Sequence, residues 1–255
     1  MDGRPVIVTG ASRGIGRVIA MELARAGYRL ILCARGKEIF SVGDECIKLG
    51  GKVETMQLDI TVKDAGAKLR DKALSGFGPP WGLVNNAGMA ESAPLPKTDD
   101  EMFQRHMDLN VLAPFRLMRA IIPRMAERGS GRIINMCSTA ALAGYPYVSA
   151  YAASKHALLG ITRSAAREFA QKGITVNAIC PGYVRTEQFN AVIQNIAQKT
   201  QLSPAEAELK LSQLSPQNRI FDQIEIAHAV KYLLSEEARG VNGQALTIDG
   251  GEIEH

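Results

Sequence analysis

The stretch PVIVTGASRGIGRVIAMELARA, residues 5–26, decides the fold. Its apolar run Val6-Ile7-Val8-Thr9 has strand length and closes on Gly10-Ala11-Ser12-Arg13-Gly14-Ile15-Gly16; a helical pattern then runs through Ala26. Strand, glycine turn and helix in that order aim backbone N–H groups and a helix N-terminus at a phosphate. The glycines are spaced G-x-x-x-G-x-G rather than the G-x-G-x-x-G of the usual dinucleotide fingerprint. On its own the turn therefore also fits a glycine-rich bend with no ligand.

Working outward, the same alternation repeats. A second strand, residues 29–34, is followed by a helix over 39–49. A strand over 53–58 ends in Asp59-Ile60 and leads to a helix over 62–75. Leu83-Val84 ends in Asn85-Asn86-Ala87-Gly88, and a long helical region over 99–127 holds Asn110. A strand over 132–136 closes on Cys137-Ser138-Thr139, ahead of a helix carrying Tyr151 and Lys155. A strand over 175–180 ends in Pro181-Gly182, a polar segment spans 183–219, and a helix over 223–234 and a strand over 245–248 finish the pattern. Strands separated by helices predict an α/β class: one doubly wound parallel sheet with right-handed crossovers and helices on both faces. No repeat, low-complexity tract or linker divides the 255 residues, so a single domain is expected over 1–255.

Composition narrows the function classes. The chain is 46% hydrophobic with a net charge of +4, and its charges are interspersed. No basic run points to nucleic acid, and no apolar run reaches the ~20 residues of a membrane span. The chain enters its first strand at Pro5 without a signal-peptide pattern. Cys33, Cys46, Cys137 and Cys180 lack C-x-x-C spacing and read as buried reduced thiols of a cytoplasmic protein. His106, His156, His228 and His255 show no ligand spacing, so no metal site is expected and they read as surface residues.

Tyr151 and Lys155 lie one turn apart on one helix face. A free phenol titrates near 10, and a neighbouring ammonium lowers that value toward a useful acid–base range. Ser138, at a strand end, supplies a hydroxyl that can bind a substrate oxygen without changing charge. A buried tyrosine and a solvated lysine would show the same spacing. Position favours chemistry: ligands of open parallel sheets bind beyond the strands' carboxyl ends, and Gly10, Arg35, Asp59, Asn86, Ser138 and Pro181 all follow such ends. From Tyr28 to Lys37 there is no acid to bind a ribose 2′-hydroxyl, while Arg35 and Lys37 close the strand and Arg13 lies in the glycine turn. Two arginines and no carboxylate favour NADP(H) over NAD(H).

With these motifs in order, the chain resembles the short-chain dehydrogenase/reductase family over nearly its whole length. Thr9-Gly10 through Gly14-Ile15-Gly16 matches the family's T-G-x-x-x-G-x-G, and Asn85-Asn86-Ala87-Gly88 its N-N-A-G. Asn110, Ser138, Tyr151 and Lys155 match its catalytic residues. The resemblance implies a Rossmann fold and hydride transfer between a nicotinamide and a carbonyl or secondary alcohol. Tyr151 would be the proton donor and Ser138 would hold the oxygen. Lys155 would lower the Tyr151 pKa and hold ribose hydroxyls, and Asn110 would position a relay water. It also implies cofactor contacts at Ser12, at Asp59 and Ile60 beside the adenine, at Asn86, Ala87 and Gly88, and at Pro181, Gly182, Val184 and Thr186. Residues 183–216 would form a substrate lid, and the assembly would be a homotetramer.

The lid resembles that of 3-hydroxybutyrate dehydrogenases, yet Ala90, Ala140 and Val148 stand where those enzymes place carboxylate-binding side chains. The pocket then resembles more closely that of 3-oxoacyl-thioester reductases and polyketide-type ketoreductases, with substrates carried on CoA or an acyl carrier protein. A catabolic NAD(P)-dependent dehydrogenase of a secondary alcohol, hydroxy acid or sugar is the alternative.

Overall fold

Short apolar runs pair in parallel because each is followed by a helix long enough to carry the chain back across the sheet. In the computed structural model, which describes residues 3–253, the strands are β1 Pro5–Thr9, β2 Arg29–Ala34, β3 Lys52–Gln57, β4 Gly82–Asn85, β5 Gly131–Met136, β6 Ile174–Pro181 and β7 Ala245–Ile248. They form one seven-stranded parallel sheet in the order β3-β2-β1-β4-β5-β6-β7. The helices are α1 Gly14–Arg25, α2 Glu38–Lys48, α3 Ala65–Gly76, α4 Asp100–Met107, α5 Ala113–Arg128, α6 Ser149–Phe169, α7 Glu187–Thr200, α8 Pro204–Ser212 and α9 Gln223–Leu234.

The side-chain alternation of the strands sorts the core into two layers. Val6 and Val8 pack with Ile19 and Leu23 of α1, Ile39 of α2 and Val230 of α9. Ile7, between them, faces the other way, with Leu69 of α3, Leu117 of α5 and Ala166 of α6. The strand order reverses between β1 and β4, so a crevice opens there at the strands' carboxyl ends. Below that crevice a polar rung crosses the apolar interior. Asn85 of β4 donates to Asn135 of β5 at 2.8 Å, and Asn135 donates to Thr162 of α6 at 2.8 Å.

Two segments differ from the sequence expectation. The region over 99–127 is helical throughout but not uniform: α4 passes into α5 through a π-helical turn, Asp108–Leu112. The polar stretch after Pro181-Gly182 holds α7 and α8, whose Phe189, Ile193 and Ala207 form a small core of their own with Ile220. Thr186 caps α7, accepting from the Phe189 N–H, and Ser203 and Glu206 form a capping box on α8.

The four cysteines are free and buried. No helix among the described residues is long and apolar enough to cross a membrane, and no metal-binding cluster of His, Cys, Asp and Glu occurs among them. His156 and His228 are exposed. His106 is not: it is fully buried, a correction whose reason lies in the site below. His255 lies outside the described residues.

Candidate active site

The glycine turn is built for close backbone approach. Gly10 has φ +65°, and a Cβ there would stand 2.8 Å from the Ala87 Cα. A Cβ on Gly16 would collide with the Gly10 carbonyl and the Asn86 amide. The Asn86 side chain donates to the carbonyls of Thr9 and Gly10 at 3.0 and 3.2 Å. The Thr9 hydroxyl in turn accepts from the Asn86 and Ala87 N–H groups at 3.0 and 3.1 Å. The first two motifs of the sequence are therefore one knot. Arg13, at the N-cap of α1, makes no side-chain capping bond, so the first-turn N–H groups remain available to an anion. A nucleotide pyrophosphate fits this bare cradle.

Along the same edge, Asp59 accepts from the Thr61 N–H and hydroxyl at 2.9 and 2.7 Å. Those bonds hold its carboxyl below the usual range, with a smaller contribution from Arg35. Arg13 and Arg35 are exposed at the ends of the turn and of β2. The Thr186 methyl lies 3.8 Å from where a Gly14 Cβ would stand, so residues after β6 reach across the crevice to the glycine turn. Ile60 and Val184 are buried against the core clusters, and Pro181 is buried at the end of β6.

Four residues converge beyond β4 and β5. Tyr151 shares a hydrogen bond with Ser138, which lowers its pKa, but burial dominates and pushes it up to about 12. The one-turn spacing of Lys155 from Tyr151 predicts a lowered value. That ammonium instead donates to the Met136 carbonyl at 2.7 Å and lies 5.6 Å from the Tyr151 ring centre. Burial shifts Lys155 downward as well. Both groups are thus biased toward their neutral forms in this state.

Asn110 sits in the π turn, buried rather than exposed. Its Oδ1 accepts from the Met89 N–H at 2.9 Å, and its Nδ2 donates to the Met89 carbonyl at 3.0 Å and to Ser154 Oγ at 3.0 Å. Gly88 lies against it: a Cβ there would be 3.1 Å from Asn110 Oδ1 and 3.5 Å from Lys155 Nζ. The N-N-A-G turn, the π turn and α6 meet at this point. A π turn widens the helix and re-aims one residue, which is why it recurs at functional sites.

Several neighbours escape sequence reading. His106, one turn before Asn110, accepts from the Glu91 N–H at 3.1 Å and pairs with the Met102 carbonyl at 2.8 Å. Its ring packs edge-on to Tyr151 with centroids 6.3 Å apart. Burial is tolerated because both ring nitrogens are used. At the other side Tyr145 donates to Glu252 Oε1 at 2.5 Å, and Tyr183 stacks at a tilt on Phe189. Only the i−4 spacing of His106 from Asn110 could have drawn attention to any of these.

Comparison with known proteins agrees with this geometry. The chain matches the short chain dehydrogenase family over residues 4–197. It is 33% identical over 253 residues to a putative ketoacyl reductase of Streptomyces coelicolor, covering 98% of this chain and 97% of that one. It is 32% identical to the 3-oxoacyl-[acyl-carrier-protein] reductase FabG of Staphylococcus epidermidis, covering 97% and 98%. Among solved structures, an actinorhodin polyketide ketoreductase variant with NADPH superposes with a TM-score of 0.96 at 32% identity over 100% of both chains. L-sorbose reductase from Gluconobacter frateurii, complexed with NADPH and L-sorbose, gives 0.94 at 28% identity, covering 100% of this chain and 98% of that one. Glycine cradle, N-N-A-G knot and the Ser138, Tyr151 and Lys155 cluster thus stand on one sheet edge in an oxidoreductase of the short-chain dehydrogenase family, to which this chain belongs.

Proposed function

We propose that this protein is an NADP(H)-dependent oxidoreductase that reduces the ketone of a 3-oxoacyl thioester or a similar apolar ketone to a secondary alcohol. The observation that carries this reading is the half-buried, neutral Tyr151 phenol hydrogen-bonded to Ser138. A neutral phenol is a proton donor, and donation to a carbonyl oxygen is what reduction requires. When bound, the nicotinamide supplies the hydride.

Ser138 holds the carbonyl oxygen, and Tyr151 protonates it as negative charge develops there. Lys155 would hold ribose hydroxyls and bring its charge toward the phenol, favouring the phenolate left after proton transfer. Asn110, its side chain fixed by Met89 and Ser154, would position a relay water. Gly10, Ser12, Arg13, Gly14, Ile15 and Gly16 would cradle the pyrophosphate. Asp59 and Ile60 would flank the adenine, and Pro181, Gly182, Val184 and Thr186 the nicotinamide.

Arg13 and Arg35, with no carboxylate at the end of β2, support the 2′-phosphate and hence NADP(H). The NADPH carried by two of the superposed structures supports the same choice. Residues 183–216, with a small core of their own, would act as a lid closing over substrate. The open edge of β7 and exposed Phe103 and Phe115 support association into a homotetramer, and the buried free thiols support a cytoplasmic setting.

The test is initial-rate measurement with acetoacetyl-CoA, comparing NADPH with NADH. Turnover with NADPH at least tenfold faster supports the whole reading. Equal rates would overturn the NADP assignment, and faster oxidation of a secondary alcohol at neutral pH would overturn the direction.

A further inference from the structure

On the same sheet edge as Ser138 and Tyr151, beyond β5 and β6, stands a carboxylate that the proton relay does not use. Glu252 lies in the turn after β7, and that turn is built rather than frayed. Asp249, itself buried, accepts from the Gly251 and Ile253 N–H groups at 3.0 and 3.1 Å. This brackets Glu252 and points it back at the sheet edge. One carboxylate oxygen accepts from the Tyr145 hydroxyl at 2.5 Å. The other lies 3.3 Å from where a Gly182 Cβ would stand. Tyr145 lies in the loop that begins at Ser138, and Gly182 immediately follows β6. The carboxylate therefore bridges the two segments that flank Tyr151.

Its charge reaches the phenols around the crevice. Tyr145 is shifted upward by burial and then by its bond to Glu252. Tyr183 is shifted upward by burial and then by the charges of Glu252 and of an ionised Tyr151. Tyr183 thus feels both ends of the crevice. The cation that could balance Glu252, Lys155, is buried behind Tyr151 with its ammonium on the Met136 carbonyl. Asp249 adds a second carboxylate to the same turn, while Arg185 is paired with Glu208 on the lid.

We propose that Glu252, held by Tyr145, is a specificity-determining residue that makes the mouth of the crevice reject free carboxylates and accept neutral ketones, esters, thioesters and hydroxyl-bearing chains. This rests on the ketone-reduction reading and deepens it. The missing carboxylate-binding side chains at Ala90, Ala140 and Val148 would leave an acid merely unbound. Glu252 repels it. In a partly desolvated crevice a like charge opposes binding several-fold more than it does in water, and a neutral hydroxyl gains an acceptor.

The experiment compares kcat/KM for acetoacetate with that for its neutral ester, ethyl acetoacetate, in the wild type, E252Q and Y145F. Glutamine keeps an acceptor for the Tyr145 hydroxyl and removes only the charge. Phenylalanine removes the hydrogen bond and leaves the charge. The acetoacetate-to-ester ratio is expected to rise about tenfold in E252Q and to change less than about threefold in Y145F. A ratio unmoved in E252Q, or moved equally in both variants, overturns the proposal and leaves Glu252 a latch for the C-terminal turn. Wild-type enzyme that reduces neither compound, with NADPH or NADH, overturns the ketone reading itself and the inference with it.

Discussion

Replacing Asn110 with alanine separates the placement of the site from its chemistry. The amide makes three hydrogen bonds, at 2.9, 3.0 and 3.0 Å, to the Met89 N–H, the Met89 carbonyl and Ser154 Oγ. At about 1 kcal/mol each their loss costs about 3 kcal/mol. The better helix propensity of alanine offsets roughly 0.6 kcal/mol of that. A net loss of about 2–3 kcal/mol lowers Tm by roughly 4–12 °C in a domain of this size. Met89 directly follows Gly88, whose backbone packs on both Asn110 and Lys155. The released segment should therefore loosen the Lys155 ammonium, and kcat should fall by tenfold or more. Circular-dichroism melting and initial rates on the same preparation give both numbers. A Tm within about 1 °C of wild type would refute the claim that this amide holds the N-N-A-G turn against the π turn. Asn110→Asp sharpens the result. It keeps the shape, but a carboxylate cannot donate to the Met89 carbonyl or to Ser154, so it should not restore the wild-type Tm.

Other outcomes follow from the same geometry. Tyr151→Phe should lower kcat by roughly 10²–10⁴ while fluorescence titration still detects dinucleotide binding; unchanged turnover would remove Tyr151 from the mechanism. Because the Tyr151 pKa is raised to about 12, its neutral form is favoured by folding. That stability is fully present below the ordinary value of about 10 and is lost as pH rises through about 12. Ultraviolet titration of the ligand-free protein should lose one late phenol step in Tyr151→Phe, and loss of a step near 10 instead would contradict the burial argument. Gly16→Val should abolish dinucleotide binding, read by calorimetry, since its side chain would displace the Gly10 carbonyl and Asn86; retained affinity would mean the cradle lies elsewhere. Native protein should react negligibly with an aromatic disulfide reagent and unfolded protein should release four thiols, because all four cysteines are buried and free.

The order of strands and helices was legible because most strands carry an apolar run closed by turn residues, as in Val6–Val8 before Thr9-Gly10 or Leu30–Ala34 before Arg35-Gly36. The convergence of Gly10, Asn86, Ser138 and Tyr151 was legible for a topological reason: parallel strands put all their carboxyl ends on one edge. The π turn was not, since Asp108–Leu112 reads as a continuation of the helices on either side and the partners of its Asn110, Met89 and Ser154, are brought near only by the fold. The burial of His106 was equally hidden, because the Met102 carbonyl lies one turn back in the same helix but the Glu91 N–H is brought near only by the fold. The upward shift of Tyr151 shows the limit of spacing arguments. One turn of helix brings two side chains together, but desolvation by the surrounding chain sets the sign of the shift. Glu252 lies far along the sequence from the phenols it faces, in a turn whose shape comes from Asp249.

The polar rung through Asn85, Asn135 and Thr162 bears on manufacturing tolerance. A parallel sheet of aliphatic residues is forgiving of small slips, since one leucine contact resembles the next. An amide bonded to an amide is not, for sliding β5 by one residue would turn Asn135 to the opposite face. Asn85 lies just before Asn86, Asn135 three residues before Ser138, and Thr162 two helical turns beyond Lys155. The rung therefore acts as a common datum from which all three reacting segments are measured. Errors in the loops above it do not propagate down, and those loops are free to be rebuilt for new substrates while the reacting groups keep their mutual distances.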